Sequence, residues 1–236
     1  GCSRLPGMGY CAGPGPFQPR RLLAARSSRA DPLGSDGRTV ITAIVLAYEV
    51  FGRLSDQVLA GERGWDQGMF SVIGATCAAG KVLGLDQERM GHAISLAVTP
   101  NLPLGVTRSG ELSMWKGCAT ATATRAGIFA AQLAQQGMTG PNEPFEGRRG
   151  LWEQALGNTV NIPSFQKSRG SDDFRILETT FKSYPSQIHT QAPIGVALEL
   201  HHQVSPEKIT SVLIQSYDGA VSSPATEPQK WDPKTR

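Results

Sequence analysis

The sequence predicts a mainly α-helical protein, in which a large all-helical domain is followed by the start of a smaller α+β domain. Apolar residues recur at helical spacing from Thr39 onward, and much later residues 209–217 have the character of a strand. We therefore divide the 236 residues into a leader (1–36), a helical domain (37–170) and the beginning of an α+β domain (171–236).

The first 34 residues differ in composition from the rest of the chain. They contain six Gly, five Pro and five Arg against one Asp, so their net charge is +4, whereas the remaining 202 residues sum to −1. No apolar period runs through them, so they cannot bury enough surface to fold alone. We expect an unstructured or non-native leader, and an Arg- and Ser-rich targeting segment and an RNA-binding arm remain as alternatives.

The first two helices follow the leader. An apolar stripe from Val40 to Leu54 predicts the first helix, on which Glu49 and Arg53 form a favourable charge pair four residues apart. Residues 69–83 predict the second. Its centre, Gly-Ala-Thr-Cys-Ala-Ala-Gly, has almost no side-chain bulk. Neighbouring helices should therefore approach it closely.

Two further helices complete the predicted helical domain. Asp86 is a candidate N-cap for a third helix over residues 87–98. Residues 99–111 contain two Pro and two Gly and predict a loop. A long fourth helix is expected over residues 112–136, ended by Gly137 at the position after its last turn.

The pattern changes after Pro163. Residues 174–184 are a mixed segment with β-branched side chains, residues 188–204 are helical in character, and residues 209–217 resemble a strand. A single strand cannot be stable alone. We therefore expect this second domain to be truncated.

Several classes of protein are excluded by simple counts. No run of 18 apolar residues occurs without a charge, so no membrane-spanning helix is expected. There is no CxxC pair and no Cys has a His at metal-ligand spacing, which argues against a structural zinc or an iron–sulfur cluster. Cys77 and Cys118 lie in Ala-rich segments and are expected to be buried free thiols in a reducing compartment.

Six stretches carry more specific information: Ala43–Val50, Gly74–Asp86, Arg108–Gly117, Ala130–Pro141, Phe145–Gly147 and Phe181–Thr190. In this order they resemble the MmgE/PrpD family over about residues 37–236. The family contains cofactor-free lyases and isomerases of small di- and tricarboxylic acids, including dehydratases of 2-methylcitrate and decarboxylases of cis-aconitate. The resemblance implies a helical domain that carries a smaller α+β domain, an active site between them and a homodimer.

Two short motifs distinguish branches of that family. The sequence Gly-Trp-Asp-Gln at residues 64–67 has Asp66 where the decarboxylase-like members have a His. Asp66 matches the Asp of the dehydratase-like members, whereas Gln67 departs from the His that follows it there. The stretch from Ser183 to His189 also resembles the dehydratases. The resemblance therefore implies dehydration of 2-methylcitrate or a related tricarboxylic acid without a cofactor. A decarboxylase or epimerase of cis-aconitate-like acids and a non-catalytic helical module remain as alternatives.

The resemblance identifies three candidate catalytic residues. Lys116, on the first turn of the fourth helix, matches a family active-site lysine, and pKa tuning would be the physical route to its role. Lys182, before a Tyr-Pro pair, matches a second lysine and is a candidate anchor for a substrate carboxylate. His189 matches the dehydratase motif and is a candidate acid or base.

Four further residues are candidate substrate-binding groups. Arg108 and Ser109 lie in the Gly-rich loop, where a guanidinium fork could bind a carboxylate. Tyr184 follows Lys182 in the second family motif. Asp66 is the weakest of the four, because a carboxylate at a helix start usually caps that helix.

The other expectations concern what the chain lacks. His92 and the adjacent pair His201–His202 are expected to be structural, and no metal site is predicted. In the family an Asp- and His-containing motif precedes the stretch that begins here at Ala43, but no His occurs before His92. We therefore expect the chain, taken as complete, to be inactive or severely impaired as a dehydratase. The partners expected are a small acid and a second subunit, with no nucleic acid or membrane, in the cytoplasm or the mitochondrial matrix.

Overall fold

The computed structural model describes residues 36–157, 160–162 and 174–222. The α-helices in these ranges are α1 (Gly37–Gln57), α2 (Gly68–Leu83), α3 (Gln87–Val98), α4 (Trp115–Gln135), α5 (Gln191–Leu200) and α6 (Asp218–Ser222). Short 3-10 turns span Ala60–Arg63, Gly105–Arg108, Arg175–Glu178, Ile188–Thr190 and Pro206–Lys208, and a π turn spans Trp152–Leu156. The prediction of a mainly α protein is confirmed.

Helix α2 is the centre of the helical domain. Its 13 residues Gly68–Gly80 are all buried, and it packs against α1, α3 and α4. A Cβ atom added at Gly74 would lie 2.9 Å from the carbonyl oxygen of Ala47 on α1. One added at Gly127 on α4 would lie 2.7 Å from the carbonyl oxygen of Val72. The backbones are therefore in direct contact on both sides of α2, as its small residues predict.

Local signals set the helix ends. The Asp86 side chain accepts a hydrogen bond of 2.8 Å from the backbone N–H of Arg89, so α3 begins and ends as predicted. Gly137 follows α4 with a φ of 89°, which confirms its role at the helix end. The start of α4 was predicted three residues too early, because residues 112–114 continue the preceding loop.

The core also contains the turn after α4. Trp152 is 2% exposed, and its ring centroid lies 5.1 Å from that of Phe145. Cys77 is a buried free thiol, and burial raises its pKa to about 12. Cys118 is exposed, contrary to prediction, because the neighbouring Ala119 occupies the inward face of α4 at that level.

The part of the chain from residue 174 to 222 is organised differently. The predicted helix over 188–204 forms in part, as a 3-10 turn followed by α5, which ends at Leu200. The predicted strand over residues 209–217 does not form, because no other described segment pairs with it and an extended segment without a partner has no ladder of hydrogen bonds. The α+β character of this domain therefore stays a prediction. The expected leader lies outside the described residues, apart from Asp36.

None of the helices in the described ranges is both long enough and apolar enough to cross a membrane.

Candidate active site

The loop after α3 is fastened to the turn before α2. The backbone N–H of Asp66 donates to the carbonyl oxygen of Pro103 at 2.8 Å, and that of Gly105 donates to Gly64 at 2.7 Å. Between these bonds, Trp65 forms an isolated antiparallel bridge with Leu104. The Trp65 ring Nε1–H donates to the carbonyl oxygen of Ala155 at 2.8 Å, which ties both segments to the core. The Gly- and Pro-rich loop therefore has a defined position.

Asp66 and Arg108, both predicted to bind substrate, are paired with each other. The Asp66 side chain is fully buried, and its Oδ2 lies 2.5 Å from Nε of Arg108, while Oδ1 lies 3.4 Å from Nη2. Oδ1 also accepts the N–H of Gly68 at 2.8 Å, so Asp66 caps the start of α2 as well. A buried carboxylate needs a cationic partner, so Asp66 and Arg108 stay paired. This pairing fixes the edge of the guanidinium that carries Nε and Nη2.

The stretch from Gly105 to Lys116 presents the other predicted groups of the helical domain. Lys116 is the second residue of α4 and is exposed, and the 3-10 turn that contains Arg108 contacts α4. The hydroxyl of the exposed Ser109 donates to the carbonyl oxygen of Gly105 at 3.2 Å. Of the two cations, Arg108 therefore lies on the anchored loop and Lys116 lies on the first turn of the helix that follows this loop.

The remaining candidates lie on the described segment after residue 173. Lys182 and Tyr184 are half-buried. The backbone of Tyr184 is held by the Gln191 side chain, whose Oε1 accepts the Tyr184 N–H at 3.0 Å and whose Nε2 donates to its carbonyl oxygen at 3.1 Å. These two hydrogen bonds hold the backbone of Tyr184 next to the start of α5. Lys182 lies two residues before Tyr184 in the same segment.

His189 lies in the same turn. Partial burial lowers the pKa of its imidazole from the ordinary 6.5, so the neutral ring predominates at neutral pH. Its Nδ1 contacts the hydroxyl of Tyr217, and the two ring centroids are 5.2 Å apart at 66°. The backbone N–H of His189 donates to Oε1 of Gln187 at 2.6 Å. A neutral imidazole beside a phenol is chemically able to accept a proton.

The structure therefore places the predicted residues in two groups. One comprises Asp66, Arg108, Ser109 and Lys116 on the helical domain, and the other comprises Lys182, Tyr184 and His189 on the later segment. Sequence reasoning missed Tyr217 and Gln191, because a Tyr at the end of an apolar segment and a Gln at a helix start carry no signal of their own.

Three histidines belong to neither of these two groups of candidate residues. His92 lines a groove of about 540 Å³ between α3 and residues 141–144, and a second groove of about 890 Å³ lies along α3 and α4. His201 and His202 lie at the end of α5 with ring centroids 5.4 Å apart. Within the described ranges no cluster of three His, Cys, Asp or Glu side chains could hold a metal ion.

Comparison with known proteins places the chain among larger relatives. It is 24% identical over 184 residues to the 2-methylcitrate dehydratase of Escherichia coli (strain K12), which covers 75% of this chain and 37% of that protein. It is 28% identical over 181 residues to the alkylcitrate dehydratase phiI of Fungal sp. (strain ATCC 74256), covering 74% of this chain and 35% of that protein. The chain thus spans about a third of the length of these curated relatives.

A family model carries the assignment. The model of the MmgE/PrpD N-terminal domain matches residues 18–162, which is more than half of the chain. The match begins ahead of Gly37, where the first described helix starts, and ends just after the π turn of the core. The resemblance noted in the sequence motifs is thereby confirmed, and the chain belongs to the MmgE/PrpD family.

Proposed function

We propose that this chain carries the helical part of the active site of a cofactor-independent hydro-lyase, which removes water from 2-methylcitrate or a related tricarboxylic acid. The observation that carries the proposal is membership of the MmgE/PrpD family together with two relatives named as dehydratases of alkylated citrates. Asp66, which stands where the decarboxylase-like members have a His and the dehydratase-like members have an Asp, also favours dehydration over decarboxylation.

The reaction requires three tasks of the protein. A base takes a proton from carbon, the adjacent C–O bond breaks, the hydroxyl leaves with a proton as water, and a carbon–carbon double bond forms. Meanwhile two or three carboxylates of the substrate must be held, which cations do best in a cleft with little water. Neutral His189 suits the first task, because its lowered pKa keeps the proton-accepting form at neutral pH.

The cations suit the binding task. Arg108 is oriented by the buried Asp66, so its side chain loses little freedom when a carboxylate arrives. Lys116 is exposed at the start of α4 beside that loop, and Lys182 precedes the turn with His189. In this proposal Arg108 and Ser109 bind one carboxylate, Lys182 and Tyr184 bind another, and Lys116 either protonates the leaving hydroxyl or holds a third.

Equilibrium binding tests the proposal in this chain directly. We expect calorimetric titration with 2-methylcitrate to show binding, and Lys116→Met to weaken it at least tenfold, about 1.4 kcal/mol. The matched control is Lys81→Met, which removes an exposed lysine from the last turn of α2 and should leave the affinity unchanged. Failure of the unsubstituted chain to bind any citrate-like acid would contradict the proposal and favour a non-catalytic helical module.

Product analysis separates the reactions within the family. Incubation with 2-methylcitrate and with cis-aconitate, followed by measurement of the unsaturated acid and of released CO₂, distinguishes loss of water from loss of CO₂. The proposal expects that any turnover of 2-methylcitrate by this chain gives an unsaturated acid without CO₂. Release of CO₂ from cis-aconitate would identify the decarboxylase instead.

A further inference from the structure

The turn Arg175–Glu178 joins the later segment to helix α1. The backbone N–H of Arg175 donates to Oε1 of Glu49, and its guanidinium contacts Oδ2 of Asp56. The same guanidinium lies 2.5 Å from Oε2 of Glu178. One arginine therefore meets three carboxylates, two of them on α1 and one within its own turn.

Helix α1 is shaped to receive this arginine. Glu49 is only 8% exposed, and its second oxygen is 3.0 Å from Nε of Arg53, which confirms the pair predicted from the sequence. Gly52, which lies between Glu49 and Arg53 in the sequence, is buried, and a Cβ atom there would lie 3.2 Å from Cγ of Arg175. The aliphatic stem of Arg175 thus crosses α1 where a side chain is missing. The contact with Glu49 uses the backbone N–H, which any residue except proline supplies, so the need for an arginine comes from Asp56 and Glu178, which Nη2 and Nη1 of the guanidinium fork reach.

The position of this contact along the chain matters for the candidate site. Lys182 follows Arg175 by seven residues, so the two Cα atoms are within about 25 Å of each other even in a fully extended chain. Further along, helices α5 and α6 each contact the turn Ile188–Thr190. Arg175 is therefore a point at which the described chain ahead of His189 is attached to α1.

We propose that Arg175 is a positioning residue, which fastens the segment carrying Lys182, Tyr184 and His189 to the helical domain that carries Arg108 and Lys116. Its importance for a reaction rests on the proposed function, but the attachment itself does not. Arg175 acts on substrate only through the residues that it holds in place.

Hydrogen exchange of backbone amides in the full chain tests the attachment. Arg175→Ala should raise the exchange of residues 182–191 about tenfold, while the amides of α2 keep their protection. Two further variants leave Arg175 present. Asp56→Asn weakens a partner of its guanidinium, and Gly52→Leu fills the space that its aliphatic stem occupies. Both should also raise the exchange of residues 182–191. Arg175→Lys should restore part of the protection, because it keeps a charge but loses the fork. Arg89→Ala, at the exposed pair with Asp86, is the control and should change neither region.

Two results would overturn the proposal. One is unchanged exchange of residues 182–191 in Arg175→Ala. The other is an equal rise in that segment and in α2, which would indicate general destabilisation rather than local release. Failure of the chain to bind citrate would contradict the proposed function and leave the exchange result to decide the attachment. If citrate does bind, its affinity should fall in Arg175→Ala and recover partly in Arg175→Lys.

Discussion

Helices α2 and α5 are both strongly apolar in sequence, yet they differ completely in burial. Thirteen of the 16 residues of α2 are buried, whereas none of the ten residues of α5 is. Helix α2 has three helices packed around it, while α5 contacts the short turn before it. Apolar composition therefore predicted both helices, but the neighbours decided which of them belongs to a core.

The same difference extends to the two parts of the chain that hold these helices. In the helical domain the polar groups of the candidate site are tied into the core by Trp65 and the buried Asp66. In the later segment the order comes from side chain to backbone hydrogen bonds within one turn and from the contact of Arg175 with α1. We expect the domain to respond strongly to single substitutions and the later segment to respond weakly, and four measurements test this.

The largest effect is expected at the buried ion pair. Arg108→Ala leaves the Asp66 carboxylate buried without its partner and should lower the free energy of unfolding by about 3 kcal/mol. Arg89→Ala is the control, because its pair with Asp86 is exposed at 3.9 Å and is worth under about 1 kcal/mol. Urea unfolding measures both. Equal losses in the two variants would show that Asp66 does not depend on Arg108.

A pair of glycines on α4 should give opposite signs. Gly127→Ala places a methyl group 2.7 Å from the carbonyl oxygen of Val72 and should cost about 2 kcal/mol. At Gly117 such a methyl group would have no atom within 4 Å apart from the adjoining residues and backbone of α4 itself, so Gly117→Ala should stabilise α4 by about 0.5–1 kcal/mol. Thermal unfolding distinguishes them. A stabilising Gly127→Ala would contradict the close approach of α2 and α4.

Two valines compare the regions with the same chemical change. Val72 on α2 is 1% exposed, so Val72→Ala should cost about 1.5 kcal/mol, the value of two buried methyl groups. Val196 on α5 is 55% exposed, so Val196→Ala should change the stability by less than about 0.5 kcal/mol. If Val196→Ala costs as much as Val72→Ala in urea unfolding, α5 must be covered in solution and the contrast fails.

The smallest effect concerns the protonation of His189. Its pKa in the folded chain is lowered from 6.5 by desolvation, so the unfolded chain binds a proton more readily. The stability from this residue is therefore present above pH 6.5 and declines as the pH falls below it. NMR titration of the His189 ring should give a midpoint below 6.5. A midpoint at or above that value would contradict its partial burial.

The local parts of the fold were predictable because their causes lie within a few residues. The bounds of α3 follow from Asp86 and the apolar period, and the end of α4 follows from Gly137. The place of Lys116 on the first turn of α4 was correct even though the helix starts later than expected. Each of these signals acts over about one turn of helix.

The contacts of the candidate site were not predictable in the same way. Asp66 and Arg108 were each assigned to substrate, but their pairing across 42 residues depends on how the loop folds back on the turn before α2. The contacts between His189 and Tyr217 and between Arg175 and Glu49 join residues 28 and 126 positions apart. No periodicity or spacing encodes such pairs.

The sequence by itself determined the helical class, the helix positions, the small-residue centre of α2 and, through its motifs, the family. Only the tertiary structure decided that α2 is buried and α5 exposed, that Cys118 lies outside the core, and that Asp66 supports Arg108. The physical reason is that helix formation depends on backbone hydrogen bonds and side chains within a turn, whereas burial and ion pairing depend on which distant segments meet.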